Sequence, residues 1–165
     1  MPTTTQPPGR FNVRVYGIWI NESQEIFVTE EQISGLGQVF KFPGGGLELG
    51  EGPLEGLRRE WEEETGKPPQ VVRHLYTTHF FQRSAFDAND QILSIYFGVV
   101  ADGAHRPEKI DLEDDVVAFH WLPLTAELLE TIRLPIDRYV VRRLLERPQQ
   151  TQHWADWVRR AKDGW

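Results

Sequence analysis

Between residues 11 and 20 the chain reads FNVRVYGIWI, a β-branched and aromatic run that predicts a strand. Asn21-Glu22-Ser23-Gln24 then supplies turn-forming side chains before EIFVTEE resumes extended character, so the pattern predicts a hairpin. Residues 39–42 read as a short strand stopped by Pro43 and by Gly44, Gly45 and Gly46, which predict a tight loop. A helix is expected over residues 53–65. Pro53 suits its first turn, Glu55 sits near its positive end, and Gly66 followed by Pro68-Pro69 stops it. Strands are expected over residues 71–82 and 91–100, joined by the polar loop 83–90, and again over 116–122. Helical spacing follows over 125–131, 135–146 and 151–162, the last through Trp154, Trp157, Val158 and Ala161. This order predicts an α/β fold of the mixed α+β kind, an α/β/α sandwich with a central mixed sheet between helices. Residues 1–10 are expected to be a flexible tail, 11–147 the domain, and 148–165 a helical extension packed on it.

Composition narrows the chemistry. The 165 residues are 39% hydrophobic and 12% aromatic, enough for one self-sufficient core. The absence of cysteine excludes disulfides, thiolate metal sites and a cysteine nucleophile, so a metal must sit on oxygen or imidazole. The N-terminus has no charged start followed by an apolar run, and no apolar stretch approaches the ~20 residues that span a bilayer; a cytoplasmic protein without a membrane partner is expected. A net charge of −7 argues against tight binding to long nucleic acid. The charge is concentrated: between Glu48 and Glu64 seven acids stand against Arg58 and Arg59, a net of −5.

On a helix over residues 53–65, Leu54, Leu57 and Trp61 share one stripe and are expected to face the core. Glu60, Glu63 and Glu64 fall on a neighbouring arc. Carboxylates at such spacing repel by a few tenths of a kcal/mol per exposed pair, about as much as a favourable pair gains. Carboxylate oxygens are the ligands that Mg²⁺ and Mn²⁺ prefer, and a cation there would relieve the repulsion and attract phosphate. The plainer alternative is a solvated acidic face.

The surrounding residues favour the cation. Gly45, Glu51, Arg59, Glu60, Glu63, Glu64 and Gly66 match the pattern G-x5-E-x7-R-E-U-x-E-E-x-G-U, with U apolar. At background residue frequencies such a match arises by chance on the order of 10⁻⁸ times per start point. The segment from Gly45 to Lys67 thus resembles the box of the Nudix hydrolase family. Trp61 fills one apolar slot with a large side chain, and Lys67 departs from the other. The resemblance implies a metal-dependent hydrolase that cleaves a diphosphate bond in a nucleoside diphosphate derivative by water attack on phosphorus. It implies Glu60, Glu63, Glu64 and the Gly44 carbonyl as ligands of Mg²⁺ or Mn²⁺. Glu60 and Glu63 would carry the reaction, with Glu51 and Arg59 in support. A catalytically silent nucleotide-binding module is the alternative, disfavoured by the retention of all four glutamates.

Other positions are open. Glu113 and Asp115 are candidates for a downstream base or ligand, with Asp87 and Asp90 behind them. Arg14 and Tyr16 alternate with core residues on the first strand, as His79 and Phe81 do on a later one, so each could meet a base or phosphate or simply pack. Trp154 and Trp157, beside Arg159, Arg160 and Lys162, suit a homodimer contact, a cover for the substrate, or a cover for the core.

Overall fold

The structure is a computed structural model that describes residues 6–101 and 116–148. Its elements run β1 (Arg10–Ile18), β2 (Glu25–Ile33), β3 (Gly37–Lys41), β4 (Gly44–Gly46), α1 (Pro53–Thr65), β5 (Gln70–Thr77), β6 (Asp90–Val100), β7 (Val116–Pro123), α2 (Leu128–Thr131) and α3 (Pro135–Glu146). Glu113, Asp115 and the extension carrying Trp154 and Trp157 lie outside the described residues.

The mixed α+β class is as expected, but the strands divide into two sheets. One is mixed, in the order β4-β1-β6-β5, with β1 parallel to β6; the other is antiparallel, in the order β3-β2-β7. The expected hairpin is present only beside its turn. Its turn is present, with Asn21 Oδ1 accepting from the Ser23 and Glu25 amides. Yet both edges of β1 are taken by β4 and β6, and both edges of β2 by β3 and β7. Around the turn the chain pairs through an Ile20–Ile26 bridge and a 2.9 Å bond from the Phe27 amide to the Trp19 carbonyl.

The glycine run is likewise a strand rather than a loop. Gly44–Gly46 pairs antiparallel with Arg14, Val15 and Tyr16. A Cβ on Gly44 would stand 2.0 Å from the Val15 carbonyl oxygen, and its φ of +147° is one that L side chains rarely adopt. Here glycine is what allows the two backbones to meet.

Alternation along β1 sends side chains to two cores on opposite faces. Tyr16, Ile18 and Ile20 join Ile26, Val28, Tyr96 and the buried face of α3, namely Ile136, Val140, Val141 and Leu144. Val15 instead joins Phe27, Val99, Leu57 and Trp61 beneath α1. Leu54 departs from the expected stripe: in the first turn of α1 it is 39% exposed, while Leu57 and Trp61 are buried.

Three boundaries also differ. Part of the expected tail is held, since the Gly9 amide meets Asn89 and Arg83 bonds the Gln6 carbonyl. The strand expected over 71–82 ends at Thr77, and the helix expected over 125–131 shrinks to Leu128–Thr131. No helix among the described residues is long and apolar enough to cross a membrane.

Candidate active site

Helix α1 is delimited as its sequence requires. Pro53 occupies the first turn, the Glu55 carboxylate accepts from the Gly52 amide at 2.6 Å, and Gly66 adopts the left-handed conformation while bonding the Glu62 carbonyl at 2.7 Å. Burial of Leu57 and Trp61 then fixes the rotation of the helix. That rotation turns Glu60, Glu63 and Glu64 toward the glycine strand β4, where all three line a cavity of about 190 Å³.

Arg59 organises the approach to this cavity. Its guanidinium grips Glu51 through two bonds of 2.6 and 2.9 Å, reaches the Gly46 carbonyl at 3.1 Å and bonds Glu60 at 3.0 Å. Contacts of 3.4 Å to Glu63 are longer and more exposed. The Arg59 bonds, joined by the Glu48 amide, hold the Glu51 carboxyl down at about 2. The pair therefore contributes stability at pH above the ordinary glutamate range, and that contribution fades only as pH falls toward about 2. Replacing Arg59 with leucine should lower stability at neutral pH, since it leaves Glu51, Glu60 and Glu63 without the cation they share. Urea unfolding checks this; an unchanged midpoint would remove the network from the support of the fold.

The three cavity glutamates differ. Burial, followed by the charge of Glu63, raises the Glu60 carboxyl, although the Arg59 bond opposes the rise. Burial likewise raises Glu64 well above its ordinary value, with Glu31 and Glu60 adding to the shift and Lys41 opposing it. Glu64 Oε2 is buried without a hydrogen-bond partner. Glu63 projects into water, its side chain 53% exposed. Among the described residues no three acidic or imidazole groups already converge closely enough to hold a metal ion. Arg59 Nη1 sits between Glu60 and Glu63 instead.

A second cavity, of about 400 Å³, adjoins the first and shares Arg14, Glu31 and Lys41 with it. Asn12, Tyr16, Phe86, Ile92, Tyr96 and Asp137 are among its walls. Arg14 and Tyr16 both line this cavity, and Arg14 Nε donates to the Tyr16 hydroxyl at 2.6 Å. His79 and Phe81 line neither of these two cavities, because β5 ends before them and the strand alternation stops. His79 instead bonds the Tyr76 hydroxyl and lies edge-on to Tyr139, while Phe81 is exposed beneath Arg83. Asp87 and Asp90 pair with Arg10, Asp90 also accepting from Asn12 at 3.0 Å. These contacts tie the 83–90 loop to the start of β1.

Several site residues escape sequence reasoning. Lys41 and Glu31 form a buried ion pair at 2.9 Å, diagonal across the β2–β3 ladder. The only local signal is a lysine placed between two phenylalanines. Asp137, buried on α3, accepts from the Tyr96 hydroxyl at 2.5 Å, while its Oδ2 has no partner. Nothing near Asp137 in sequence marks it.

The chain matches the model of the NUDIX domain over residues 10–144. It belongs to the Nudix family. Curated relatives of this Nudix domain include the 8-oxo-dGTP diphosphatase of Escherichia coli (strain K12), 33% identical over 87 residues, which are 51% of this chain and 61% of that protein. The enzyme of the same name from Haemophilus influenzae (strain ATCC 51907 / DSM 11121 / KW20 / Rd) is 32% identical over 92 residues, 55% of this chain and 63% of that one. The chain thus spans about three fifths of the length of the curated relatives it matches. The E. coli ORF135 protein shares the fold with a TM-score of 0.67 at 18% identity, covering 87% of this chain and 96% of that one. The MutT protein from Methanosarcina mazei Go1 does so with a TM-score of 0.62 at 19% identity, over 87% and 99%.

Within this Nudix domain Asp137 has an expected consequence for stability. Burial pushes its carboxyl up to about 6, against the opposing Tyr96 bond. A raised carboxyl binds its proton more tightly in the folded chain, so the contribution of Asp137 to stability is full below about pH 4 and is lost as pH rises through about 6. Asp137→Asn should therefore raise stability at pH 7.5 by roughly 1–3 kcal/mol and flatten that slope. Thermal melts of both proteins at pH 4.5 and 7.5 check it; equal shifts at the two values would show that Asp137 does not titrate there.

Proposed function

We propose that the chain hydrolyses a diphosphate linkage in a nucleoside diphosphate derivative, by attack of water on phosphorus and with a divalent cation, Mg²⁺ or Mn²⁺. Two relatives are named for 8-oxo-dGTP, so an oxidised purine deoxynucleoside triphosphate is the first substrate to try. The observation that carries this reading is the buried, partnerless Glu64 oxygen in a cavity that Glu60 and Glu63 also line. An all-oxygen donor set suits a hard cation, and a buried carboxylate oxygen without a partner is an unusual arrangement unless a ligand completes it. Glu60, Glu63, Glu64 and the Gly44 carbonyl are the groups that would hold the ion. Arg59 can release Glu60 and Glu63 to it, because its two bonds to Glu51 and its bond to Gly46 do not depend on them.

When bound, the cation supplies charge neutralisation on phosphate oxygens and a lowered pKa for water. The chain supplies position. Arg59 fixes Glu51, and β4 brings its backbone against the acidic face of α1 because glycine at position 45 leaves room. A Cβ there would stand 2.5 Å from the Glu60 carboxylate. The larger cavity would seat the nucleoside, with Tyr16 and Tyr96 as apolar walls and Asp137 as an acceptor for a base N–H. Product analysis on a panel of nucleoside triphosphates and diphosphate conjugates, with Mg²⁺ and then Mn²⁺, tests the proposal. Metal-dependent appearance of two phosphorylated products supports it; saturable nucleotide binding without turnover would leave a silent binding module.

A further inference from the structure

Two cavities meet at a wall made of Arg14, Glu31 and Lys41. On the α1 side the wall faces Glu60, Glu63 and Glu64; on the α3 side it faces Tyr16, Tyr96 and Asp137. Arg14 and Lys41 supply the positive charge that lines the acidic cavity, and both reach the larger one as well. A ligand running from one cavity to the other must pass these two cations.

Lys41 is unusual for its surroundings. It is 9% exposed, on a strand whose neighbours Val39 and Phe42 are buried, and its ammonium lies 2.9 Å from Glu31, itself 7% exposed. A buried ion pair gains little for folding over a well-packed apolar pair, because both charges give up water. Its presence between two cavities is therefore better explained by a ligand than by stability. Burial works against the charged ammonium, but Tyr16 and Glu31 outweigh it, so Lys41 stays protonated. An ammonium carries three donors, and Glu31 engages one face of it. Arg14 is anchored in a similar way, by its bond to Tyr16 two residues along the same strand.

Resting on the diphosphate reading above, we propose that Lys41 and Arg14 bind the phosphate adjoining the nucleoside, with Glu31 as the residue that positions Lys41. The nucleoside would then lie in the larger cavity, with the rest of the phosphate chain extending toward Glu60, Glu63 and Glu64. This explains why the two cavities share a cationic wall, and why the lysine is held by a glutamate rather than left to move.

Binding in EDTA separates this proposal from hydrolysis. Calorimetric titration of the full chain would use 5′-monophosphates of guanosine, 8-oxo-deoxyguanosine, adenosine, cytidine and thymidine, each beside its nucleoside, and inorganic phosphate alone. The wild type should bind at least one monophosphate roughly 10- to 100-fold more tightly than its nucleoside, the range expected for charge-assisted bonds. Lys41→Met should erase most of that ratio, and Lys41→Arg should keep part of it. Glu31→Gln should reduce the ratio by a smaller factor. Should Lys41→Met fail to fold with Glu31 left unpaired, the double variant Lys41→Met, Glu31→Gln removes both charges and must lose the ratio in its place. The proposal is overturned if no monophosphate outbinds its nucleoside, including the case in which none binds, if the ratio survives loss of Lys41, or if inorganic phosphate binds as tightly as the monophosphates. None of these outcomes needs metal or turnover, so failure of the hydrolase reading would be seen separately, in the product assay.

Discussion

Glu63→Gln is expected to lower turnover of a nucleoside triphosphate substrate by on the order of 10³-fold or more, with little change in stability. The substitution keeps the shape and helical preference of the side chain and removes only its charge. In the fold that charge has little to do: the side chain is 53% exposed, and its contacts to Arg59 are 3.4 Å long. Such an exposed pair is worth less than about 1 kcal/mol, and relief of repulsion from Glu60 offsets part of it. In the site the same charge is one of three that would attract and hold a divalent ion beside the phosphates. Steady-state kinetics with Mg²⁺ and Mn²⁺, beside a thermal melt in EDTA, reads both halves of the prediction. Turnover within a few-fold of wild type would take Glu63 out of the ion-holding set. Loss of activity accompanied by a collapsed melting temperature would instead mark a structural role.

The second large effect is on the fold beneath the site. Trp61→Ala should destabilise the domain by about 3–5 kcal/mol, the usual cost of truncating a buried aromatic residue to alanine. Trp61 is 1% exposed, and its ring lies 6.0 Å from Phe27 and 6.5 Å from Trp19, centre to centre. It also presses against Gly17, where a Cβ would stand 2.6 Å from the indole. Trp61 Nε1 has no hydrogen-bond partner, so the loss would be one of packing alone. At roughly 2–4 °C per kcal/mol for a domain of this size, the melting temperature should fall by about 10 °C. Trp61→Phe, which keeps most of the apolar volume, should lose less than half as much. Equal stability of wild type and Trp61→Ala would contradict the placement of α1. Because Trp61 lies between Glu60 and Glu63 in the chain, the alanine variant should also lose turnover, as α1 no longer seats firmly against β1 and β2.

The readable and the unreadable parts of this site differ in the distance along the chain over which they are built. Pro53 at the entry of α1, Gly66 at its exit and the rotation set by Leu57 and Trp61 are all local. So is the Arg59–Glu51 pair, whose partners stand eight residues apart. Local periodicity carries such signals directly, so the bounds of α1 and the common face of Glu60, Glu63 and Glu64 were legible. Leu54 shows the limit of that signal, since the stripe marks a candidate face without saying how far the core beneath it extends.

What the chain does between distant segments was decided by tertiary structure alone. The turn at Asn21 was legible, but the partition of β1 and β2 between two sheets depends on which strands compete for their edges. Arg14, Tyr16, His79 and Phe81 looked alike as alternating residues; the end of β5 at Thr77 separated the first two from the others. Lys41 became a feature of the site only when β2 laid Glu31 beside it, and Asp137 only when α3 packed against Tyr96, 41 residues away in sequence. Alone, then, the sequence determined the family and the acidic helix with its glutamates on one face, because these rest on contacts within a few turns. The cationic wall and the shape of the larger cavity rest on burial, and burial depends on the whole chain at once.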